Sequence, residues 1–226
     1  RQRPAAPVAG RAGVGAGALG AHAQPCAVER QDAAAAGRHG VDAHHRRAHA
    51  HAGHLGLELA LELARVDASV ATFNGVHTGL SAGSIAILGS EEQKAEWLPK
   101  MAAGDVIGSF ALTEPEHGSD VARGLMTTAR RDGDTWVING EKRWIGNATW
   151  GDIVVVWARD EADNQVKGFI VPTNTPGYKA EKIEGKYSLR IVQNAHITMT
   201  DVVVPDSHHL ANANSFADTN KVLAAT

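Results

Sequence analysis

Cys26 is the only cysteine in the 226 residues. An intramolecular disulfide framework is therefore excluded, and nothing assigns the protein to an oxidising compartment. Long apolar runs are missing as well, none approaching the roughly 18 to 20 residues that would span a bilayer. The expected location is therefore inside the cell, and cytoplasmic by default. The start is Arg- and Ala-rich without the apolar core of a secretory signal, and only its poverty in acid is like an organellar transit peptide. An excess of one charge sign is also absent: Lys plus Arg number 22 against 25 Asp plus Glu. No long-range field favours nucleic acid or an anionic membrane, so partners have to be sought in local sites. No internal repeat is visible.

Residues 1–54 contain no Lys, Ile, Phe, Trp, Tyr or Met and consist largely of Ala, Gly, Arg, His and Pro. A stretch without large apolar side chains cannot offset the entropy of ordering, so disorder, or loose helix around Ala33 to Ala36, is expected. The same composition is what a GC-rich gene yields when translated out of frame. An amphipathic sequence begins abruptly at Leu55. His44, His45, His49, His51 and His54 allow a metal-binding reading. A structural zinc site, however, needs fixed ligands and a supporting shell, which this composition does not supply.

From Leu55 onward the periods become legible. Leu57, Leu61 and Ala64, widened by Leu59 and Leu63, predict a helix to about Arg65, with Asp67 to Ser69 as its break. Val70 to Leu88 is apolar but rich in Gly, Ala and Ser, which suits close packing and weakens the case for an unbroken helix. Ser90 and Gln93 form a capping-box pattern, Glu91 and Glu92 occupy the first turn, and Trp97, Leu98 and Met101 supply the buried face. After Gly104 the period becomes two. Strands are expected at Val106 to Leu112, Met126 to Arg130, Thr135 to Ile138, Lys142 to Ile145, Ile153 to Ala158, Gly168 to Pro172, Tyr178 to Ile183, and Ala195 to Val204 with a break. Asp132-Gly-Asp134 and Asn139-Gly140 read as hairpin turns. So many short strands predict a small sandwich or barrel. Another helix opens at Ser215.

Chemistry concentrates in Phe110-Ala-Leu-Thr-Glu-Pro-Glu-His-Gly-Ser-Asp120, a strand running into a loop. Backbone amides past a strand end can meet a heterocycle or phosphate; Thr113 and Ser119 add hydroxyls, and Gly118 permits close approach. Spacing alone fits an ordinary polar turn equally well. Glu114 and Asp120 could in principle divide acid and base roles, but the expectation is that both hold the loop by accepting backbone hydrogen bonds. His117 reads as an exposed loop residue. Trp136, Trp150 and Trp157 read as barrel packing. Lys142 or Arg143 could meet a phosphate, although alternation should turn at least one of them to solvent.

This segment resembles the Leu-Thr-Glu-Pro-x-x-Gly-Ser-Asp signature of acyl-CoA dehydrogenases, and the likeness extends over about residues 55–226. Gly89-Ser-Glu-Glu-Gln-Lys94 through Trp97-Leu-Pro-Lys100 resembles that family's third helix, and Asn139-Gly-Glu-Lys-Arg-Trp-Ile-Gly-Asn147 its second flavin strand. Gly185-Lys-Tyr-Ser-Leu-Arg190 and Val202-Val-Val-Pro205 also fit. Val66-Asp-Ala-Ser69 and Arg143-Trp-Ile-Gly-Asn147 lean toward the branch of glutaryl-CoA dehydrogenases and plant peroxisomal short-chain acyl-CoA oxidases.

The resemblance implies an α+β fold with a partial N-terminal helical domain (55–104), a middle β-barrel domain (105–210) and the start of a C-terminal helical bundle (211–226), the rest of which is missing. It implies FAD, an acyl-CoA substrate converted to trans-2-enoyl-CoA, electron-transfer flavoprotein or oxygen as acceptor, and a homotetrameric parent. By the same likeness Phe110, Ala111, Leu112 and Thr113 line the flavin, Gly118 and Ser119 meet its pyrophosphate or the CoA, and Trp144, Ile145 and Gly146 pack beside the isoalloxazine. Gly146 stands where many members carry Thr or Ser, so a hydroxyl toward the flavin is lacking. Ala71 replaces the Arg that binds a distal carboxylate in glutaryl-specific members, which argues against a dicarboxylyl substrate. The catalytic Glu is expected in the missing bundle, leaving this stretch inactive by itself. The rival expectation is a non-enzymatic barrel that holds CoA or a nucleotide, or a His-rich metal carrier.

Overall fold

The computed structural model describes residues 56–226. The readings made on residues 1–54, namely disorder, a frame error and a histidine metal site, lie outside them. Residues 56–66 form helix α1. The break after it is set by Asp67, whose carboxylate accepts from the Ser69 amide at 2.7 Å and caps α2 (Ala68–Asn74). From there the backbone stays helical to Leu88, through a π-helical stretch at Gly75–Ala82 and then α3 (Gly83–Leu88). The glycines therefore widen one turn of the rod rather than breaking it. The wide turn packs His77 into the interior, where Nε2 lies 3.1 Å from the Met101 carbonyl and Nδ1 accepts from the Gly108 amide at 3.1 Å.

Helix α4 (Glu91–Ala103) starts with the expected capping box. Ser90 Oγ accepts from the Gln93 amide, and Gln93 Oε1 accepts from the Ser90 amide. The Gln93 side chain also donates to the carbonyls of Ser207 and His209, tying α4 to the far end of the chain. The helix closes at Gly104 with φ 79°.

The strands are β1 (Gly108–Ala111), β2 (Thr128–Asp132), β3 (Thr135–Ile145), β4 (Ile153–Asp160), β5 (Val166–Pro172), β6 (Tyr178–Lys182) and β7 (Ala195–Pro205). A four-residue helix, α5 (Val121–Gly124), lies between β1 and β2, and α6 (Phe216–Ala225) follows β7. The strands join one curled sheet in the order β1-β4-β2-β3-β7-β6, with β5 on β4. β4 runs parallel to β1 and β2 and antiparallel to β5. It is buried on both faces, which is why Ile153 to Ala158 is an unbroken apolar run. Ile153, Val155 and Trp157 pack toward Ile85, Trp97 and Met101 of the helices. Val154, Val156 and Ala158 pack inside the curl against Trp136, Ile138 and Phe169. The sheet curls until β3 meets the exit of β1, where the Arg143 amide donates to the Thr113 carbonyl at 2.9 Å.

Asn139-Gly140 is not a turn. β3 runs through it, and β7 carries the extra residue opposite: Ile138 pairs with Val202 and Gly140 with Met199. Asp201 in that bulge has φ 49° and is clamped by Asn139, which accepts from its amide at 2.8 Å and donates to its carboxylate at 3.1 Å. An Asn-Gly pair thus suits a bulge inside a ladder as well as a hairpin, and only the partner strand distinguishes the two.

Candidate active site

Along β3, Trp136, Ile138 and Lys142 are buried in even register, and Ile145 is buried in odd register. The switch comes from a second irregularity: Lys142 pairs with Ile197 but Ile145 with Ala195, so β3 holds one extra residue there. Trp144, which strict alternation would bury, is turned outward at φ 65° and left 51% exposed. A left-handed backbone costs an ordinary side chain on the order of 1–2 kcal/mol. The surroundings hold it here: the Asn194 side-chain Nδ2 donates to the Trp144 carbonyl at 3.0 Å, and the Arg143 guanidinium lies 5.5 Å from the indole centroid. The result is a flat aromatic surface held at the mouth of the curl, with Ile145 and Gly146 buried behind it.

Facing this mouth is the exit of β1. Phe110, Ala111 and Leu112 are buried, so a ligand would meet their backbone rather than their side chains. The Thr113 hydroxyl is half-buried and the Ser119 hydroxyl exposed; among the described residues neither makes a hydrogen bond. Gly118 is open, with nothing within 4 Å of the place a Cβ would occupy. A cavity of about 320 Å³ lies beside the loop, lined by Glu114, Pro115, Glu116, His117, Met126, Gly140 and Glu141.

Glu114 is locked. Its Oε2 accepts from the Met126 amide at 2.6 Å, and its Oε1 from the Thr127 amide at 2.8 Å and Lys142 Nζ at 2.9 Å. Burial pushes its carboxyl up, but the Lys142 charge and these donors outweigh it and leave the group below the usual carboxylate range. Lys142 has no exposed side-chain surface, and its Nζ also donates to the Leu112 carbonyl at 3.2 Å. Burial pulls its ammonium down to about 8, against the upward effect of Glu114. Both groups are therefore ionised near neutrality, and neither is free to take a proton from a ligand. Asp120 pairs with His117 Nδ1 at 2.9 Å across the loop.

Three expectations are corrected by this geometry. Lys142 is buried beside Glu114 and the Leu112 carbonyl, which leaves Arg143 as the one of the two cations that can meet a phosphate or solvent. Trp150 is not barrel packing: half-exposed, it stacks on Phe73 at 5.6 Å. His117 lies in the loop as expected but is half-buried rather than exposed, its Nδ1 paired with Asp120 and its carbonyl accepting from the Glu114 amide at 2.9 Å. Trp136 and Trp157 are buried packing as expected.

The site therefore joins a strand-end backbone, two free hydroxyls and an out-turned indole, on the segments Phe110 to Asp120 and Asn139 to Asn147. Two family models cover the chain in succession: the acyl-CoA dehydrogenase N-terminal domain matches residues 33–105, and the acyl-CoA dehydrogenase middle domain residues 109–202. The chain belongs to the acyl-CoA dehydrogenase family. The N-terminal match begins within the Ala-, Gly-, Arg- and His-rich tract. The chain is 39% identical over 161 residues to the mitochondrial short-chain specific acyl-CoA dehydrogenase of Mus musculus, a match covering 70% of this chain and 39% of that protein. A glutaryl-CoA dehydrogenase from Mycobacterium smegmatis, solved with FADH2, superposes with a TM-score of 0.70 at 43% identity, over 74% of this chain and 42% of that one. Butyryl-CoA dehydrogenase from Megasphaera elsdenii gives 0.69 at 32% identity, over 74% and 44%. The chain spans about two fifths of the length of the relatives it matches.

Sequence reasoning missed the second cavity of this acyl-CoA dehydrogenase family chain. Its volume is about 250 Å³, and its lining includes Phe73, Trp150, Ile191 and Val192. Those positions come from three distant segments, and no local pattern in the sequence joins them.

Proposed function

We propose that this chain carries the flavin-facing part of an FAD-dependent acyl-CoA dehydrogenase that oxidises short- or medium-chain acyl-CoA to trans-2-enoyl-CoA. The observation that carries the reading is Trp144, held outward against its backbone preference on a strand whose Arg143 amide donates to the Thr113 carbonyl, so that an aromatic face and a free hydroxyl lie on adjoining segments. This suits a planar, polar-edged ring system. When bound, the flavin would supply the two-electron acceptor for the α,β carbon–carbon bond. Trp144 would cover one side of the ring, Thr113 would hydrogen-bond its edge, and Gly118 and Ser119 would receive a phosphate or the CoA. Glu114, ion-paired and backbone-bonded, is poorly placed to act as the base, and in this reading the α-proton goes to a carboxylate outside the described residues.

The relatives support the substrate class, being a short-chain specific acyl-CoA dehydrogenase, a butyryl-CoA dehydrogenase and a glutaryl-CoA dehydrogenase. Half-buried Ala71 offers no cation for a distal carboxylate, so a monocarboxylyl chain is the better fit. Electrons would leave to an electron-transfer flavoprotein or to oxygen, and the parent would assemble as a homotetramer. The cytoplasmic placement competes with relatives whose names say mitochondrial, and cell fractionation separates the two. No helix of the described residues is long and apolar enough to cross a membrane.

The test is titration of the purified chain with FAD, followed by butyryl-CoA. Flavin fluorescence should be quenched weakly, without bleaching of its visible absorption by butyryl-CoA. Absence of any quenching sinks the site; stoichiometric flavin bleached by butyryl-CoA overturns the placing of the base elsewhere.

A further inference from the structure

We infer that the buried Lys142 and Glu114 pair is a positioning device that sets the backbone of the two strands carrying the proposed flavin site. The inference rests on the reading in the preceding subsection. Glu114 directly follows Thr113, and Lys142 precedes Trp144 by two residues. Each therefore lies within two residues of one argued to meet the ring. β1 ends at Ala111, so the carbonyls of Leu112 and Thr113 lie past its last ladder pair with β4. β3 supplies them instead: Lys142 Nζ donates to Leu112 and the Arg143 amide to Thr113. On the other side Glu114 takes the amides of Met126 and Thr127, and the Thr127 hydroxyl lies 3.3 Å from the Glu141 carbonyl. One ammonium and one carboxylate thus orient three segments, 112–114, 126–127 and 141–143.

Cohesion alone does not require a charged pair there. Well-packed apolar side chains commonly match or exceed a buried ion pair in stability. What hydrocarbon cannot supply is direction, because it fixes no carbonyl or amide vector. Lys142 and Glu114 also sit where β3 gains its extra residue, between the buried stretch and the out-turned indole. Loosening the pair should let both the Thr113 peptide and the Trp144 bulge drift, while the rest of the barrel keeps its ladder.

The test compares the chain with Lys142→Met and with the double variant Lys142→Met/Glu114→Leu by hydrogen exchange and FAD titration. Amides of residues 112–118 and 126–127 should exchange roughly tenfold faster in both variants, with β4 and β5 little changed. Flavin affinity should fall roughly tenfold in the double variant even where its melting temperature is restored. Unchanged protection at 112–118 and 126–127 overturns the inference, as does a double variant that regains both melting temperature and flavin affinity. Should Lys142→Met alone unfold the chain, the double variant carries the test. If the unaltered chain takes up no flavin, the proposed site fails, and the exchange pattern still decides the role of the pair.

Discussion

Replacing Gly140 by Ala probes the crowding at the centre of this fold. Gly140 has φ 141°, and an added Cβ would sit 2.7 Å from both the Cα and the Oγ1 of Thr127. One of those atoms is backbone, so rotating a side chain cannot relieve the clash. Strain from the backbone conformation contributes roughly 1–3 kcal/mol, and overpacking about the same again, so the loss should be on the order of 2–6 kcal/mol. For a chain of this size each kcal/mol moves the melting temperature by about 2–4 °C, which places the shift at roughly 4–24 °C. Two further glycines separate the causes. Gly133 has φ 60° in the β2–β3 turn with nothing within 4 Å, so Ala there should cost only the backbone term, roughly 1–2 kcal/mol. Gly118 has neither a positive φ nor a neighbour within 4 Å, so Ala should be neutral or slightly stabilising, by up to about 1 kcal/mol. Thermal unfolding followed by circular dichroism measures all three. If Gly140→Ala melts no lower than Gly133→Ala, the close approach of β3 to Thr127 is refuted.

Other perturbations follow from the same geometry. Ser90→Ala removes one half of the capping box on α4 and should lower stability by about 1 kcal/mol, readable in urea denaturation. The carboxyl of Glu114 is held below its ordinary range in the folded chain, so its stabilisation is present above the unfolded value and disappears as pH falls through the folded one. The gap in unfolding free energy between the unaltered chain and Glu114→Gln, roughly 3 kcal/mol near neutrality, should therefore narrow on acidification, and a constant gap argues against the ion pair. Trp144→Ala should weaken FAD quenching roughly tenfold, since a stacked aromatic contributes on the order of 1 kcal/mol beyond its buried area; unchanged quenching removes Trp144 from the site. Around Gly146 an added Cβ would meet Val76 at 3.4 Å and Val192 at 3.7 Å, which are ordinary contacts. Gly146→Ser should thus change stability by no more than about 0.5 kcal/mol and alter only the spectrum of bound flavin. A large destabilisation would show that crowding dictates the glycine.

Much of this was legible in the sequence because it is local. The α4 start at Ser90, the β2–β3 turn at Gly133, the all-apolar β4 and the break at Asp67 each depend on side chains within a few positions of one another, so spacing alone carries them. Family membership was legible for the same reason, in Phe110 to Asp120 and Asn139 to Asn147. The errors share one origin. The hairpin reading of Asn139-Gly140, the phosphate reading of Lys142 and the packing reading of Trp150 fail because each position depends on a segment far away in the chain: Asp201, Glu114 and Phe73 respectively.

The amino-acid order by itself determined most of the helices and strands, and the family resemblance of the two segments that hold the candidate flavin contacts. Tertiary structure decided which way those contacts point. Side-chain direction along β3 follows a period of two until the ladder with β7 slips, and the slip exists only once Ile145 has paired with Ala195 and Lys142 with Ile197. A single extra residue then buries Ile145, exposes Trp144 and leaves Lys142 inside to meet Glu114. Strand register is a relation between two chain segments, and no pattern confined to one of them contains it.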